Sequence, residues 1–228
     1  MRNCRLQILS IIPARGGSTE IPLKNLIKIK NKPLIYYTIK ASLNSSLVNR
    51  TIVSTDHKKI KKISLQLGAE VIDRPKKLSG NKIALEPTVF HVLNYLKCTE
   101  SYVPDVIVLL QNTSPLRTNE HIDEALMKFK KFKYDSLISG YRSHNLFYEI
   151  KNHKAQPINF SPKKWPNRQQ MKNQYIGNGA IYIFTYNAFQ KSKCRIFGKI
   201  GIYEMPPELS YEIDSKHDLS LVRHILKG

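Results

Sequence analysis

The sequence predicts an open, doubly wound α/β sheet, mostly parallel, forming one domain over residues 1–228 with a small inserted arm at about 141–175. Three observations carry this reading. Short apolar runs suited to buried strands alternate with segments of helical spacing, and parallel strands need such crossovers. The run at 105–110, Asp-Val-Ile-Val-Leu-Leu, is apolar on both faces, as a strand covered on two sides must be. Two unusual polar loops, at 13–23 and 111–118, each follow a strand, and ligands of such sheets lie beyond the carboxyl ends of strands.

The elements follow in order. Leu6, Ile8, Leu9, Ile11 and Ile12 make the first buried strand. Pro13-Ala14-Arg15-Gly16-Gly17-Ser18 is then a turn, because Pro13 has no amide hydrogen and Gly16-Gly17 permits unusual backbone angles and close approach of a ligand. Lys30-Asn31-Lys32-Pro33 turns the chain into a helix with Leu34, Ile35, Thr38, Ile39 and Leu43 at helical spacing. A second strand covers 51–55, and Asp56 is placed to cap a helix over 57–67 that Gly68 ends. A short third strand at 70–73 leads into a lysine-rich loop, 74–85. Glu86-Pro87 opens a helix with Val89, Phe90, Val92, Leu93 and Leu96 inward. After the strand at 105–110, Thr118 or Asn119 caps a helix carrying Ile122, Ala125, Leu126 and Phe129, and 135–139 is the next strand.

The stretch 141–175 breaks this rhythm. It holds Pro157, Pro162 and Pro166, and mixes Tyr141, Phe147, Tyr148, Phe160 and Trp165 with lysines. It reads as an inserted arm or small β element whose aromatics suit a contact between subunits. Strands then resume at 178–184 and 200–205, and Ser215 caps a last helix with Leu219, Leu221, Val222 and Ile225.

Composition narrows the class. At 41% hydrophobic over 228 residues the chain can build a proper core, which argues against disorder. Cys4, Cys98 and Cys194 are far apart and form neither a zinc pattern nor a disulfide framework, which favours a reducing, cytoplasmic setting. No apolar run approaches a membrane span. Arg2 and Arg5 before the first apolar run imitate a signal peptide, but Pro13 and Arg15 end that run without a cleavage context. The net charge is +20, from 37 Lys and Arg against 17 Asp and Glu, and admits nucleic acid, an anionic membrane, a phosphorylated small molecule or simply a solvated lysine surface. The lysines come as scattered pairs with no helix-turn-helix, zinc finger or RNA-binding motif, so nucleic acid is set aside.

Three clusters carry chemistry. Arg15 and Lys24 bracket the glycine turn with positive charge, as a polyphosphate site requires. Thr113, Ser114 and Arg117 stand at a strand end, where they suit a sugar, a carboxylate or a base edge. Glu212 and Asp214 lie two apart, so on extended backbone both reach one divalent cation. Asp218 and Glu208 nearby read as capping or surface charges. The seven histidines are scattered, and no nucleophile elbow or Cys–His pair is visible. The chemistry implied is direct transfer with a metal and cations, without a covalent intermediate.

Several separated motifs together resemble one family. Ile12-Pro-Ala-Arg-Gly-Gly-Ser18, Lys24-Asn25-Leu26, Lys32-Pro33-Leu34, Ser54-Thr55-Asp56, Gln111 with Thr113-Ser-Pro-Leu-Arg117-Thr118, Arg168-Gln169, Asn178-Gly-Ala-Ile-Tyr182 and Ile213-Asp214 occur in that order over nearly the whole chain. The pattern is similar to the nucleotidyltransferases that activate 2-keto sugar acids, above all the acylneuraminate cytidylyltransferases (CMP-sialic acid synthetases). The resemblance implies a sheet of nucleotide-diphospho-sugar transferase type, transfer of CMP from CTP to the C2 hydroxyl of a sialic acid, release of pyrophosphate, and magnesium as cofactor. It implies that Arg15 and Lys24 hold the triphosphate, with Asn25 and the loop backbone at Ala14, Gly16 and Gly17 placing the nucleotide. Gln111, Thr113, Ser114 and Arg117 would lie by the sugar acid, with Gln169, Tyr175, Asn178 and Gly179 lining the same cleft. Asp214 and Glu212 would bind the metal, and the arm would make a homodimer. Legionaminic, pseudaminic or a related acid is the alternative acceptor, and a catalytically weakened nucleotide-binding relative is a further one.

The chain departs from the family pattern at four places. Thr19-Glu20 stands for the usual Lys-Gly, which removes one cation from the phosphate loop and puts a carboxylate beside it. Asn112 stands for a proline, and Glu212 for an aspartate. The loop 79–85 lacks the usual Asp-Thr or similar polar element.

Overall fold

The computed structural model describes residues 6–18, 20–167, 169, 171 and 173–226. Of the residues singled out above, Arg2, Cys4, Arg5, Thr19 and Arg168 lie outside the described ones. Strand β1 is Ile8–Pro13, buried on both sides. A hairpin of β2 (Lys28–Ile29) and β3 (Lys32–Pro33) turns through Lys30 and Asn31, both at positive φ, as a two-residue turn of this type demands. It delivers the chain into α1 (Leu34–Leu43). Then come β4 (Arg50–Thr55), α2 (Lys58–Gln66), β5 (Glu70–Asp73) and α3 (Glu86–Glu100). The second half holds β6 (Val106–Leu110), α4 (Asn119–Phe132), β7 (Ser136–Ser143), β8 (Tyr148–Lys151) and β9 (Lys154–Pro157). It ends with β10 (Gln174–Thr185), α5 (Tyr186–Ser192), β11 (Ile200–Glu204) and α6 (Lys216–Ile225).

The main sheet has seven strands in the order β11-β7-β10-β6-β1-β4-β5. All its pairings are parallel except those of β10, which runs against both β6 and β7. Side chains alternate across it. Ile8, Ile12, Val106, Val108 and Leu110 pack with Ile35, Ile39, Ile122 and Phe129 of α1 and α4. Leu9, Ile11, Ile107 and Leu109 pack on the other face with Val89, Val92 and Leu96 of α3 and Phe189 of α5. Helix α5 has no counterpart in the sequence reading. Its seven residues are too few to show a period.

A third apolar cluster positions the site. Ile21, Ile29, Leu116 and Ile213 pack with Leu219 and Val222 of α6. These residues draw the glycine loop, the loop after β6 and the segment before α6 against one another. The stretch 141–175 forms the β8–β9 hairpin plus the ends of β7 and β10, whose pairing continues out to Ser143 opposite Gln174. Between Gly177 and Tyr182 the register of β10 shifts, leaving a bulge opposite Ser139.

Candidate active site

The loops after β1, β5 and β6 meet above the carboxyl ends of their strands and enclose a cleft of about 260 Å³. Arg15, Lys24, Asn25, Gln111, Thr113 and Asp214 all line it. Each is held from behind. Asn25 is buried and its Nδ2 donates to the Arg15 carbonyl at 2.9 Å, which closes the glycine loop. Arg15 Nη1 donates to the Gly80 carbonyl at 2.9 Å across the cleft. Lys24 Nζ donates to the Ile213 carbonyl at 2.7 Å and to Asp214 Oδ1 at 2.9 Å. The Ile213 N–H donates to the Thr113 carbonyl at 2.7 Å, tying the third loop to the same point.

Asp214 precedes a capping box. Ser215 Oγ accepts from the Asp218 N–H, and Asp218 Oδ2 accepts from the N–H groups of Ser215 and Asp214. These bonds hold the Asp218 carboxyl below its usual range, the Ser215 backbone bond most strongly. Asp218 is therefore the capping charge expected, and Asp214, paired with Lys24 rather than used in the cap, faces the cleft with a side chain 69% exposed.

Asp56 does not cap α2. Its Oδ1 accepts the Gly16 N–H at 2.8 Å, and His57 precedes the helix without a side-chain cap. The carboxylate serves the glycine loop instead, so the Gly16 amide is already bonded within the chain. Gly17 stands in open space. Ala14 is buried behind the loop, its N–H on the Ser54 carbonyl. Glu20 is exposed and faces a recess shared with Arg15, Ser18, Lys24 and Asp214, so the substitution in the phosphate loop lies at the cationic end of the cleft.

Other expected residues lie behind the cleft. Arg117 is 2% exposed, and its Nη1 donates to the carbonyls of Gln111 and Ala180 at 3.1 and 2.7 Å. Burial lowers this guanidinium to about 9. Ser114 Oγ donates to the Asn178 carbonyl at 3.3 Å, and Asn178 is bonded to Ser139 and Ser210 in a buried network. These side chains set the β10 bulge. Gly179, in that bulge at φ +62, makes room for Glu212: a Cβ there would lie 1.9 Å from Glu212 Oε1 and 3.3 Å from Gln111 Nε2. Tyr175 hydroxyl donates to Glu204 Oε2 on β11 at 3.0 Å, and Gln169 is an exposed arm residue; neither lines the cleft in this chain.

Sequence reasoning missed Arg74. It is buried and lines the cleft, its Nη2 on the Ser54 carbonyl at 2.8 Å. Burial lowers it to about 10, with Asp56 opposing and Arg15 adding to the shift. Its place directly after β5, at a strand's carboxyl end, is the signal that was available. The loop 78–85 also contributes Leu78, Gly80 and Asn81 to the wall. Asn112, in the family's proline position, donates from Nδ2 to the Pro13 carbonyl at 3.1 Å and joins two of the three loops.

No group of three or more His, Cys, Asp or Glu suited to a metal occurs among the described residues. Glu212 and Asp214 are the pair that the sequence pointed to. The Glu212 carboxyl is pushed up to about 7, first by burial and then by the charge of Asp214, with Lys24 opposing. Asp214 lines the cleft, and Glu212, two residues before it, stands half-buried beside Gly179; carboxylates of this kind would suit a magnesium ion, which takes oxygen ligands.

A mixed sheet with a cationic cleft beyond its strand ends defines an α/β protein with a site whose charge suits an anionic ligand. The chain belongs to the cytidylyltransferase family, whose model matches residues 9–226. It is 34% identical over 211 residues to N-acylneuraminate cytidylyltransferase A of Danio rerio, covering 91% of this chain and 48% of that protein. It is 32% identical over 222 residues to the N-acylneuraminate cytidylyltransferase of Escherichia coli, covering 95% of this chain and 51% of that protein. The chain thus spans about half the length of the curated relatives it matches. Among solved structures it resembles a CMP:2-keto-3-deoxy-manno-octonic acid synthetase complexed with CTP, at TM-score 0.70, 16% identity and coverage of 97% of this chain and 98% of that one. A 4-diphosphocytidyl-2C-methyl-D-erythritol synthase gives TM-score 0.71 at 11% identity, covering 97% and 99%. These two establish the shared fold.

Proposed function

We propose that the chain transfers CMP from CTP to the C2 hydroxyl of an N-acylneuraminic acid and releases pyrophosphate. The observation that carries this reading is the convergence of Arg15, Lys24 and Asp214 on one cleft, in a chain whose relatives bear that activity in their names. Arg15 and Lys24 hold the triphosphate and face the charge that gathers as the acceptor oxygen bonds to the α-phosphorus and the bond to the leaving pyrophosphate breaks. Asn25 keeps Arg15 in place through its carbonyl. Arg74 adds a third cation to the lining of the cleft, buried and fixed on the Ser54 carbonyl. Gln111 and Thr113 orient the acceptor, and Arg117 holds the backbone that carries Gln111. Asp214 and Glu212 would hold magnesium. When bound, that ion neutralises phosphate charge and favours loss of the hydroxyl proton.

The homodimer is part of the same reading. Tyr148, Ile150, Ile158 and Trp165 of the arm are all exposed in the single chain, a cluster suited to a second copy. Location in the cytoplasm belongs to it as well, and no described helix is long and apolar enough to cross a membrane.

The test is pyrophosphate release from CTP and magnesium against a panel of sugar acids, with UTP and ATP as controls. Release with CTP and N-acetylneuraminic acid supports the reading. Release only with legionaminic or pseudaminic acid moves the acceptor, and no release with any acid overturns the reaction. Light scattering on the purified protein tests the dimer, and a monomer at all concentrations overturns that part.

A further inference from the structure

Outside the phosphate end of the cleft, one cation touches two of its walls from behind. Arg195 lies in the link between α5 and β11. Its Nη1 is paired with Glu86 Oε1, and Glu86 is the first residue of α3. The turn leading into that helix supplies Ala84 and Leu85 to the wall of the cleft, and its first turn supplies Thr88. The same guanidinium lies over the ring of Tyr182, with Cζ 4.9 Å from the centroid. Tyr182 is buried on β10, and its hydroxyl accepts from Gln111 Nε2 at 3.5 Å. Gln111 also lines the cleft. Ile196, next along the chain, packs into the apolar cluster that includes Leu85 and Tyr182.

The arrangement is a strut. Glu86 sits in the first turn of α3, where a carboxylate is favoured by the helix dipole. The Arg195–Glu86 side chains are 28% and 17% exposed, so solvent screens the pair only in part. The cation–ring contact then passes the position of α3 to Tyr182, and the hydroxyl passes it to the amide of Gln111. None of these atoms belongs to the cationic end at Lys24 and Asp214.

We infer that Arg195 is a positioning residue for the acceptor: through Tyr182 it sets where Gln111 stands relative to the α3 wall. The inference rests on the cytidylyltransferase reading and adds to it a residue that the motifs do not contain. Steady-state kinetics on the whole protein, with CTP and acceptor varied separately, tests it. Arg195→Gln should raise the acceptor KM about tenfold while kcat and the KM for CTP stay within about threefold. Arg195→Lys keeps a cation against Glu86 and the ring, and should return the acceptor KM to within about threefold of the unsubstituted protein. Tyr182→Phe keeps the ring under Arg195 but removes the hydroxyl, and should reproduce the rise in acceptor KM at unchanged Tm. That variant also serves if Arg195→Gln does not fold. The proposal is overturned if both variants leave the acceptor KM unchanged, or if Arg195→Gln weakens CTP and acceptor equally and lysine restores nothing. Inactivity of the unsubstituted protein with every acceptor would defeat the underlying reading, and this proposal with it. An active protein whose variants bind acceptor normally would defeat this proposal alone.

Discussion

Lys24 and Asp214 are bonded to each other, Nζ to Oδ1 at 2.9 Å, across 190 residues of sequence. The proposed phosphate ligand and the proposed metal ligand thus neutralise one another in the free chain. On the proposed reading, a bound triphosphate would take Lys24 and a magnesium ion would take Asp214. Because Asp214 is largely exposed, the pair itself contributes little stability, on the order of 0–1 kcal/mol.

Asp214→Asn should therefore abolish magnesium-dependent turnover while leaving Tm within about 2 °C. Titration of activity against magnesium, beside a thermal melt, checks both halves. Retained magnesium-dependent turnover would place the metal elsewhere.

Arg15→Ala should lower turnover roughly 10²–10³-fold, the usual cost of removing one donor aimed at developing charge. Its side-chain bond to the Gly80 carbonyl ties two loops and no core element, so circular dichroism should stay native. Unchanged pyrophosphate release would remove the phosphate role from Arg15.

Arg117→Met should act on stability first. The guanidinium is buried, and its loss leaves the Gln111 and Ala180 carbonyls without their donor, at about 2–4 kcal/mol. For a chain of this size that is a fall in Tm of roughly 5–15 °C. A native Tm with acceptor binding lost would instead make Arg117 a direct carboxylate ligand.

Glu212 gives a pH dependence. Its carboxyl is pushed up to about 7 from an ordinary 4.5, so the folded chain holds this proton more firmly than the unfolded one. The stability it contributes is fully present below the unfolded value and is lost as pH rises through about 7. In EDTA, Tm should fall between about pH 5 and pH 7.5, and Glu212→Gln should flatten that part of the curve. An unchanged slope would show that the folded chain does not favour the protonated carboxyl.

The strands of the main sheet were legible because their apolar runs are continuous or alternate cleanly, as at 105–110. The reversed direction of β10 was not. A link as long as 141–175 returns the chain from either end of a sheet, so its length does not encode direction. The cationic end of the cleft was also legible, since charge beside a glycine turn is a local pattern. Arg117 and Asn178 show the limit. Their residue types suit ligands, but they are buried against partners distant in sequence, Ala180 for Arg117 and Ser139 and Ser210 for Asn178, which is a tertiary event. Arg74 shows the converse, a cation in a lysine-rich loop set apart from its neighbours by its place directly after β5 and by its bond to the Ser54 carbonyl.

The closing register of the arm, Ser143 opposite Gln174, has an evolutionary consequence. Both ends of the insertion leave the sheet on neighbouring strands, about 5 Å apart. Loop-closure entropy changes only slowly with length, so residues can be gained or lost between these two points with little strain on the sheet. The scaffold offers a socket into which arms of different size and chemistry fit. Lineages could diverge in assembly by exchanging this one insert, while the cleft at the far strands kept its residues.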